Sequence, residues 1–254
     1  MTADIVNIVF CLVCVVVAIV YGAPSSKLPK GFKQCKISDP NLNECIRDGL
    51  QSAIPHLAKG VPSLGIIPMD PLRITELKID QGSGPVSIKL NFNDLDIMNL
   101  KMLTVDKIKY DSEKYILYAE LLPKQSIVLQ GNYEITGKVL ILPIVGKGKC
   151  KIILDTSKIY GTVTMKPVVK NEMEYLEIDD ISWKFIATNL NLKFNNLFNG
   201  DKALGDNMNV FLNENWREVI IELQPAIEEV FGSAFKGIGQ QFLNRIPFNQ
   251  IVTD

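Results

Sequence analysis

The sequence predicts an α+β fold in which a long apolar C-terminal helix packs inside a curved antiparallel sheet. Two patterns predict it. Apolar residues recur at steps of three and four over 209–245, as in an amphipathic helix, and side chains alternate between apolar and polar over 72–194, as in strands with one buried face. The helix would span roughly 55 Å at about 1.5 Å per residue. It lacks the charged flanks of a coiled coil, so the sheet of the same chain has to cover its apolar stripe.

The first residues predict a cleaved secretory signal. An uncharged, nearly all apolar stretch of 16 residues runs from Ile5 to Val20, which is shorter than the roughly 20 residues that a membrane span needs. Small residues then permit a cut after Gly22 or one residue later. The alternative is a retained signal anchor. We therefore expect a signal peptide, 1–22, and a single secreted, extracellular domain, 23–254.

Charge balance excludes some partners. The chain has 27 basic and 28 acidic residues, and removal of the signal with Asp4 leaves equal numbers of each. Nucleic-acid binding and strong electrostatic docking to membranes both depend on a basic excess. We therefore expect no nucleic-acid partner. A transient membrane or receptor contact stays open, and we expect the protein to be a monomer.

Three cysteines remain after the signal. Cys35 and Cys45 are ten residues apart, and in a secreted protein they are expected to form a disulfide. Cys150 lies in an alternating strand pattern, which favours a buried free thiol over a reactive one.

The remaining elements follow in order along the chain. A first helix is predicted from Asp39-Pro40 to Lys59-Gly60, with a kink or restart at Pro55, followed by an irregular proline-rich connection. About eight to ten antiparallel strands follow, then a short helix near 200–204, and the long helix is expected to bend at Gln224-Pro225. Chain reversals are predicted at Tyr110–Glu113, Leu122–Lys124, Ile135–Gly137, Gly146–Gly148 and Thr156–Ser157.

Residues for catalysis are scarce. His56 is the single histidine, and the sequence has no Gly-x-Ser-x-Gly motif whose serine it could activate. We therefore expect that the protein is not an enzyme. The Gly146–Lys149 run lacks the ending of a phosphate-binding loop. Asp94 and Asp96 lack further metal ligands nearby, so neither a metal nor a cofactor is expected.

Four segments resemble the takeout and juvenile-hormone-binding proteins of insects. They are LPKGFKQCKISDPNLNEC, GVPSLGIIPMDPL, GNYEITGKVLILPIVGKGKC and NRIPFNQI, which stand in the family's order and span nearly the whole mature chain. The resemblance implies a tubular lipid-binding-like fold, with a long helix wrapped by a highly curved antiparallel sheet, a short N-terminal helix and an internal hydrophobic tunnel. The hormone carriers of moths have a second disulfide from the position of Cys150 to a later cysteine, which this chain lacks. The chain therefore looks more like the takeout branch.

This resemblance implies a secreted carrier of a hydrophobic small molecule such as a fatty acid, an isoprenoid or a terpenoid like juvenile hormone. The alternative is a membrane-interacting, lipid-scavenging or lipid-transfer protein. We expect Tyr133 to give the ligand a polar contact, or else to bond a backbone carbonyl. The inward-facing residues predicted to bind the ligand are Phe92, Leu129, Tyr133, Ile135, Leu142, Trp183, Phe185, Phe194, Phe211, Trp216, Ile220, Phe231 and Phe235.

Overall fold

The computed structural model describes residues 27–29, 31–82 and 84–254, so the predicted signal peptide lies outside the described residues. The helices are α1 (Leu42–Lys59), α2 (Lys202–Glu214), α3 (Trp216–Leu243) and α4 (Phe248–Ile251). The strands are β1 (Cys35–Lys36), β2 (Leu72–Gln81), β3 (Val86–Met98), β4 (Leu103–Asp111), β5 (Ile116–Pro123), β6 (Ile127–Val139), β7 (Leu142–Lys170), β8 (Met173–Phe194) and β9 (Val252–Thr253).

Strand β7 organises the main sheet. The sheet is antiparallel and has seven strands in the order β2-β3-β6-β7-β5-β4, with β8 also paired to β7. Along one edge β7 pairs first with β6 over 142–154 and then with β5 over 159–164. Along its other edge β8 follows it over 150–170. Register shifts near Thr156 and Met165 interrupt the β7–β8 ladder, and such bulges bend a strand and increase its twist. The result is the curved sheet that the sequence predicted.

Three of the predicted chain reversals are wrong. Strand β6 continues through Ile135–Gly137, and β7 continues through Gly146–Gly148 and Thr156–Ser157. The chain instead turns at Leu140-Ile141, where Val139 faces Leu142 across the hairpin. The reversals predicted at Tyr110–Glu113 and Leu122–Lys124 fall within a few residues of the observed ones, at 112–115 and 124–126.

Close packing explains the two misleading glycines of β7. A Cβ atom on Gly146 would lie 2.7 Å from the Tyr133 hydroxyl and 2.9 Å from the Leu197 side chain. On Gly148 it would lie 2.5 Å from the Asn195 carbonyl oxygen. The residues after β8 cross over β7 here, and only glycine allows so close an approach.

The C-terminal helical region differs from the single helix predicted over 209–245. It is divided at Asn215, whose backbone leaves the helical region (φ −106°, ψ 26°) and whose side chain donates to the Phe211 carbonyl at 2.8 Å. The predicted short helix therefore extends to residue 214 as α2. Helix α3 continues through Pro225, where a bend was predicted.

Side-chain amides fix α2 to the sheet. Asn209 exchanges hydrogen bonds with the backbone of Phe194, at 2.8 and 2.9 Å, and Asn213 does the same with Leu192, at 2.8 Å each. These bonds occupy the free edge of β8, which would otherwise expose unpaired backbone groups.

Helix α3 packs against β8 and contributes Val219, Ile220, Leu223 and Phe231 to the main core. Helix α1 covers β4. It begins at Leu42, two residues later than Pro40, which was predicted to start it. The Asp39 carboxylate accepts a 2.8 Å hydrogen bond from the Asn41 backbone nitrogen. The Cys35–Cys45 disulfide is present and joins β1 to α1.

Candidate ligand-binding cavity

An internal cavity of about 700 Å³ lies between α3, α1 and the concave face of the sheet. Its wall is formed almost entirely by apolar side chains from both helices and from strands β2 to β8. The volume falls within the roughly 300–1,000 Å³ typical of sites for small organic ligands. The arrangement of a helix inside a curved sheet therefore encloses an apolar space that a hydrophobic molecule could fill.

Nine of the thirteen predicted contact residues line this cavity: Phe92, Leu129, Ile135, Trp183, Phe185, Phe194, Ile220, Phe231 and Phe235. The other four, Tyr133, Leu142, Phe211 and Trp216, pack against the core without forming part of the described cavity wall. The nine therefore remain the predicted ligand contacts.

Tyr133 has a different role from the polar ligand contact that we predicted. Its hydroxyl donates a 2.8 Å hydrogen bond to the Asn195 carbonyl, and its ring meets Phe194 edge-on with centroids 4.7 Å apart. Burial raises the pKa of this hydroxyl to about 12. The second alternative, a bond to a backbone carbonyl, is thus the observed one, and Tyr133 stabilises the turn that follows β8.

An aromatic cluster joins β8 to α3 along one wall. Trp183 stacks on Phe185 with ring centroids 5.3 Å apart, and it meets Phe231 and Phe235 edge-on at 6.0 and 5.8 Å. Its indole nitrogen donates to the Glu228 carbonyl at 2.6 Å. The cluster therefore presents only carbon surface to the cavity, because its one polar hydrogen is already bonded.

Sequence reasoning missed the contribution of α1. Seven residues of this helix line the cavity: Ile46, Gly49, Leu50, Ala53, Ile54, Leu57 and Ala58. The signal was present, since an apolar stripe on a helix needs a surface to cover. The pattern could not show that this surface encloses a cavity.

Few polar side chains reach the wall. Thr156 donates to the Lys158 carbonyl at 3.1 Å, and Lys33 and Lys101 are exposed residues whose charged ends can stay in water. Tyr110, on β4, differs from these. Its hydroxyl oxygen is buried and has no hydrogen-bond partner among the described residues. Burial raises the pKa of this hydroxyl to about 12, with smaller contributions from Tyr115, Asp111 and Glu174.

The residues that were considered for catalysis or metal binding lie in other settings. His56 is exposed on α1 beside Phe32, with ring centroids 6.4 Å apart. Cys150 is a buried free thiol that donates to the Gly131 carbonyl at 3.6 Å. Asp96 forms a two-point ion pair with Arg73, at 2.7 and 2.6 Å, which lowers the pKa of the carboxyl group. No cluster of three potential metal ligands occurs in the part of the chain that the structure describes.

Comparison with known proteins gives a consistent result. A family model described as haemolymph juvenile hormone binding protein matches residues 9–253. The circadian clock-controlled protein daywake of Drosophila melanogaster is 28% identical over 233 residues, which are 89% of this chain and 88% of that protein; the Drosophila yakuba protein of the same name is 26% identical over the same lengths. The crystal structure of Epiphyas postvittana Takeout 1 matches 87% of this chain and 100% of its own, with 27% identity and a TM-score of 0.75.

Proposed function

Because the chain belongs to the haemolymph juvenile hormone binding protein family, a family of proteins that bind hydrophobic ligands, we propose that it is a secreted carrier of a hydrophobic small molecule. The predicted resemblance to takeout and juvenile-hormone-binding proteins is confirmed by the family match and by the likeness to Takeout 1. The ligand class that we propose is a long-chain fatty acid, an isoprenoid or a terpenoid of the juvenile hormone kind.

The cavity is the observation that supports this proposal. A cavity of about 700 Å³ with an almost wholly apolar wall favours a ligand that is apolar along most of its length, because polar groups along the ligand would lose their water without gaining partners. Transfer of ten methylene groups from water to such a wall contributes roughly 8 kcal/mol at about 0.8 kcal/mol each. This is the gross driving force, which the cost of ordering the ligand and the side chains offsets in part.

Native mass spectrometry tests the proposal. The protein is purified from its own source without detergent, its intact mass is recorded, and bound molecules are extracted and identified. We expect one apolar molecule per monomer and a chain that begins after Gly22 or Ala23. Protein that carries no molecule and does not take up long-chain fluorescent probes would contradict the carrier function, and a chain that retains its first residues would contradict cleavage.

Direct engagement with bilayers is the alternative that the sequence left open. Within the described part of the chain, none of the helices has the length and apolarity required to cross a membrane. Flotation with liposomes distinguishes the two functions. A carrier should stay in the dense fraction and exchange its ligand through water, whereas a membrane-binding protein should float.

A further inference from the structure

We propose that the Lys33 ammonium group, at the rim of the cavity, binds the carboxylate of the ligand, so that the protein selects a long-chain carboxylic acid. The head group would lie at the surface and the hydrocarbon chain inside the cavity. This inference rests on the proposed carrier function and selects the fatty acid among the ligand classes named there.

The cavity reaches the surface along α1. Among the described residues of its wall, three are themselves exposed: Lys33, Leu50 and Lys101. Leu50 belongs to α1, and a Cβ atom on its neighbour Gly49 would lie 3.5 Å from the Cβ atom of Lys33. The turn of residues 100–102 packs against the same helix. Lys33 and Lys101 are therefore the cationic groups at the place where the cavity meets solvent.

Of these two lysines, Lys33 has its charge available for a ligand. In the part of the chain that the structure describes, its ammonium group forms neither an ion pair nor a hydrogen bond. The Lys101 Nζ lies 3.8 Å from a carboxylate oxygen of Asp70, whose side chain is only 4% exposed and also accepts from the backbone nitrogens of Asn99 and Lys101. A ligand carboxylate beside Lys101 would meet this negative charge, so Lys33 is the better anchor for an anion.

The segment around Lys33 is strongly basic, although the whole chain is nearly neutral. Residues 27–36 contain four lysines and no acidic residue. Helix α1 has two acidic residues: Glu44 in its first turn, and Asp48, which forms a 2.9 Å ion pair with Arg47. Clustered charges of one sign attract an oppositely charged ligand even where the net charge of the protein is close to zero. The rim beside Lys33 therefore favours an anionic head group over a neutral one.

Among the described wall residues, the interior of the cavity suits the hydrocarbon chain and offers no second anchor. The Trp183 nitrogen and the Thr156 hydroxyl donate to backbone carbonyls, and the Tyr110 hydroxyl is too deeply buried for a ligand to reach. Behind the rim the wall continues with Phe32, whose ring stacks on Phe242 with centroids 5.5 Å apart. A carboxylate at the rim keeps much of its water, which avoids the cost of burying a charge.

Binding of palmitate and methyl palmitate to lipid-free protein tests this inference, since the two share one hydrocarbon chain but differ in the charge of the head group. Lys33→Gln should weaken palmitate binding roughly two- to fivefold, the effect of one exposed ion pair, and leave the affinity for the ester unchanged. Added salt should weaken palmitate binding more in the wild-type protein than in this variant. Lys36→Gln, at an exposed position on β1 that does not line the cavity, is the matched control and should alter neither affinity.

Nuclear magnetic resonance of carboxyl-labelled palmitate provides a readout that altered folding cannot imitate. The pKa of the bound carboxyl group should be lower in the wild-type protein than in Lys33→Gln, because a nearby positive charge favours the carboxylate. Equal palmitate affinity and equal carboxyl pKa in the two proteins would overturn the role of Lys33 while the carrier function stands, and so would a loss of palmitate binding in Lys101→Gln alone. If the wild-type protein bound neither palmitate, its ester nor a long-chain fluorescent probe, the carrier function itself would fail.

Discussion

Trp183 and Glu228 connect the sheet to the helix that it surrounds. The indole nitrogen of Trp183 on β8 donates a 2.6 Å hydrogen bond to the Glu228 carbonyl on α3. Gly232, one turn later, faces the same indole, since a Cβ atom there would lie at an ordinary contact distance of 3.5 Å from its ring. This contact fixes the separation between the helix and the sheet, and that separation sets the width of the cavity.

Substitution of Trp183 should therefore reduce stability. In Trp183→Phe the hydrogen bond and part of the ring contact are lost, and we expect the free energy of unfolding to fall by about 1–3 kcal/mol. Urea unfolding followed by far-ultraviolet circular dichroism measures the change. Trp216→Phe is the control, because Trp216 is partly buried under the Arg217 guanidinium and does not line the cavity. Equal losses in the two variants would show that the bond to Glu228 contributes nothing specific.

The glycines of β7 should tolerate alanine very differently. In Gly146→Ala the new methyl group would contact the Tyr133 hydroxyl at 2.7 Å and the Leu197 backbone at 3.0 Å, so we expect a loss of about 1–3 kcal/mol from overpacking. Gly161, on the same strand, has no atom within 4 Å of that position, and Gly161→Ala should change stability by no more than about 0.5 kcal/mol. Thermal unfolding of both variants measures the difference. A stable Gly146→Ala protein would contradict the packing explanation for this glycine.

Filling the cavity should abolish binding without harming the fold. Ile227 on α3 lines the cavity and is only partly buried, so Ile227→Trp would place an indole in the ligand space. Ile221 is on the same helix but is 66% exposed, which makes Ile221→Trp the matched control. We expect long-chain probe binding to fall at least roughly tenfold in the first variant and to be unchanged in the second. Parallel loss of binding in both variants would contradict the location of the site.

Cys150 should resist thiol reagents in the native protein. Burial raises its pKa to about 11, so at pH 8 only about 0.1% of the thiol would be ionised, and the thiolate is the reactive form. A chain beginning at Ala23 should therefore react slowly when native and rapidly with one equivalent when unfolded.

Because the pKa of Cys150 in the folded state exceeds the ordinary thiol value, unfolding releases a proton between about pH 8.5 and 11. Stability should fall across this window, and by less in Cys150→Ala. Rapid alkylation of the native protein at pH 8 would contradict this burial.

Tyr110 shows where sequence reasoning reached its limit. It was assigned to a chain reversal because Asp111, Ser112 and Glu113 follow it. The structure extends β4 through Asp111, with a register shift between Val105 and Lys107 that changes which residues face inward. After that bulge Ile108 and Tyr110 share a face, as the period of two requires. The signal in the sequence is a change, within one strand, in which of the alternating positions are apolar, from Leu103 and Val105 to Ile108 and Tyr110.

The disulfide and the curved sheet were easier to predict because both depend on local patterns. Residues 86–92 alternate strictly, and the four apolar members of that run are buried in β3. The cysteines ten residues apart form the expected bridge. The roles of Gly146 and Asn215 were harder to predict. Gly146 is required because Leu197, about fifty residues later in the chain, packs closely against it. Asn215 ends a helix through a hydrogen bond from its own side chain.

The sequence by itself pointed to the family through four segments that resemble its members. It also determined the order of the elements and most of the faces that are buried, because periodicity acts over a few neighbouring residues. Only the tertiary structure decided which tyrosine is left with an unbonded hydroxyl. Tyr133 and Tyr110 both occupy inward positions on strands, yet Asn195 reaches one of them and no described residue reaches the other. Hydrogen bonding at those two atoms depends on chain segments far apart in sequence, which meet only when the sheet closes around α3.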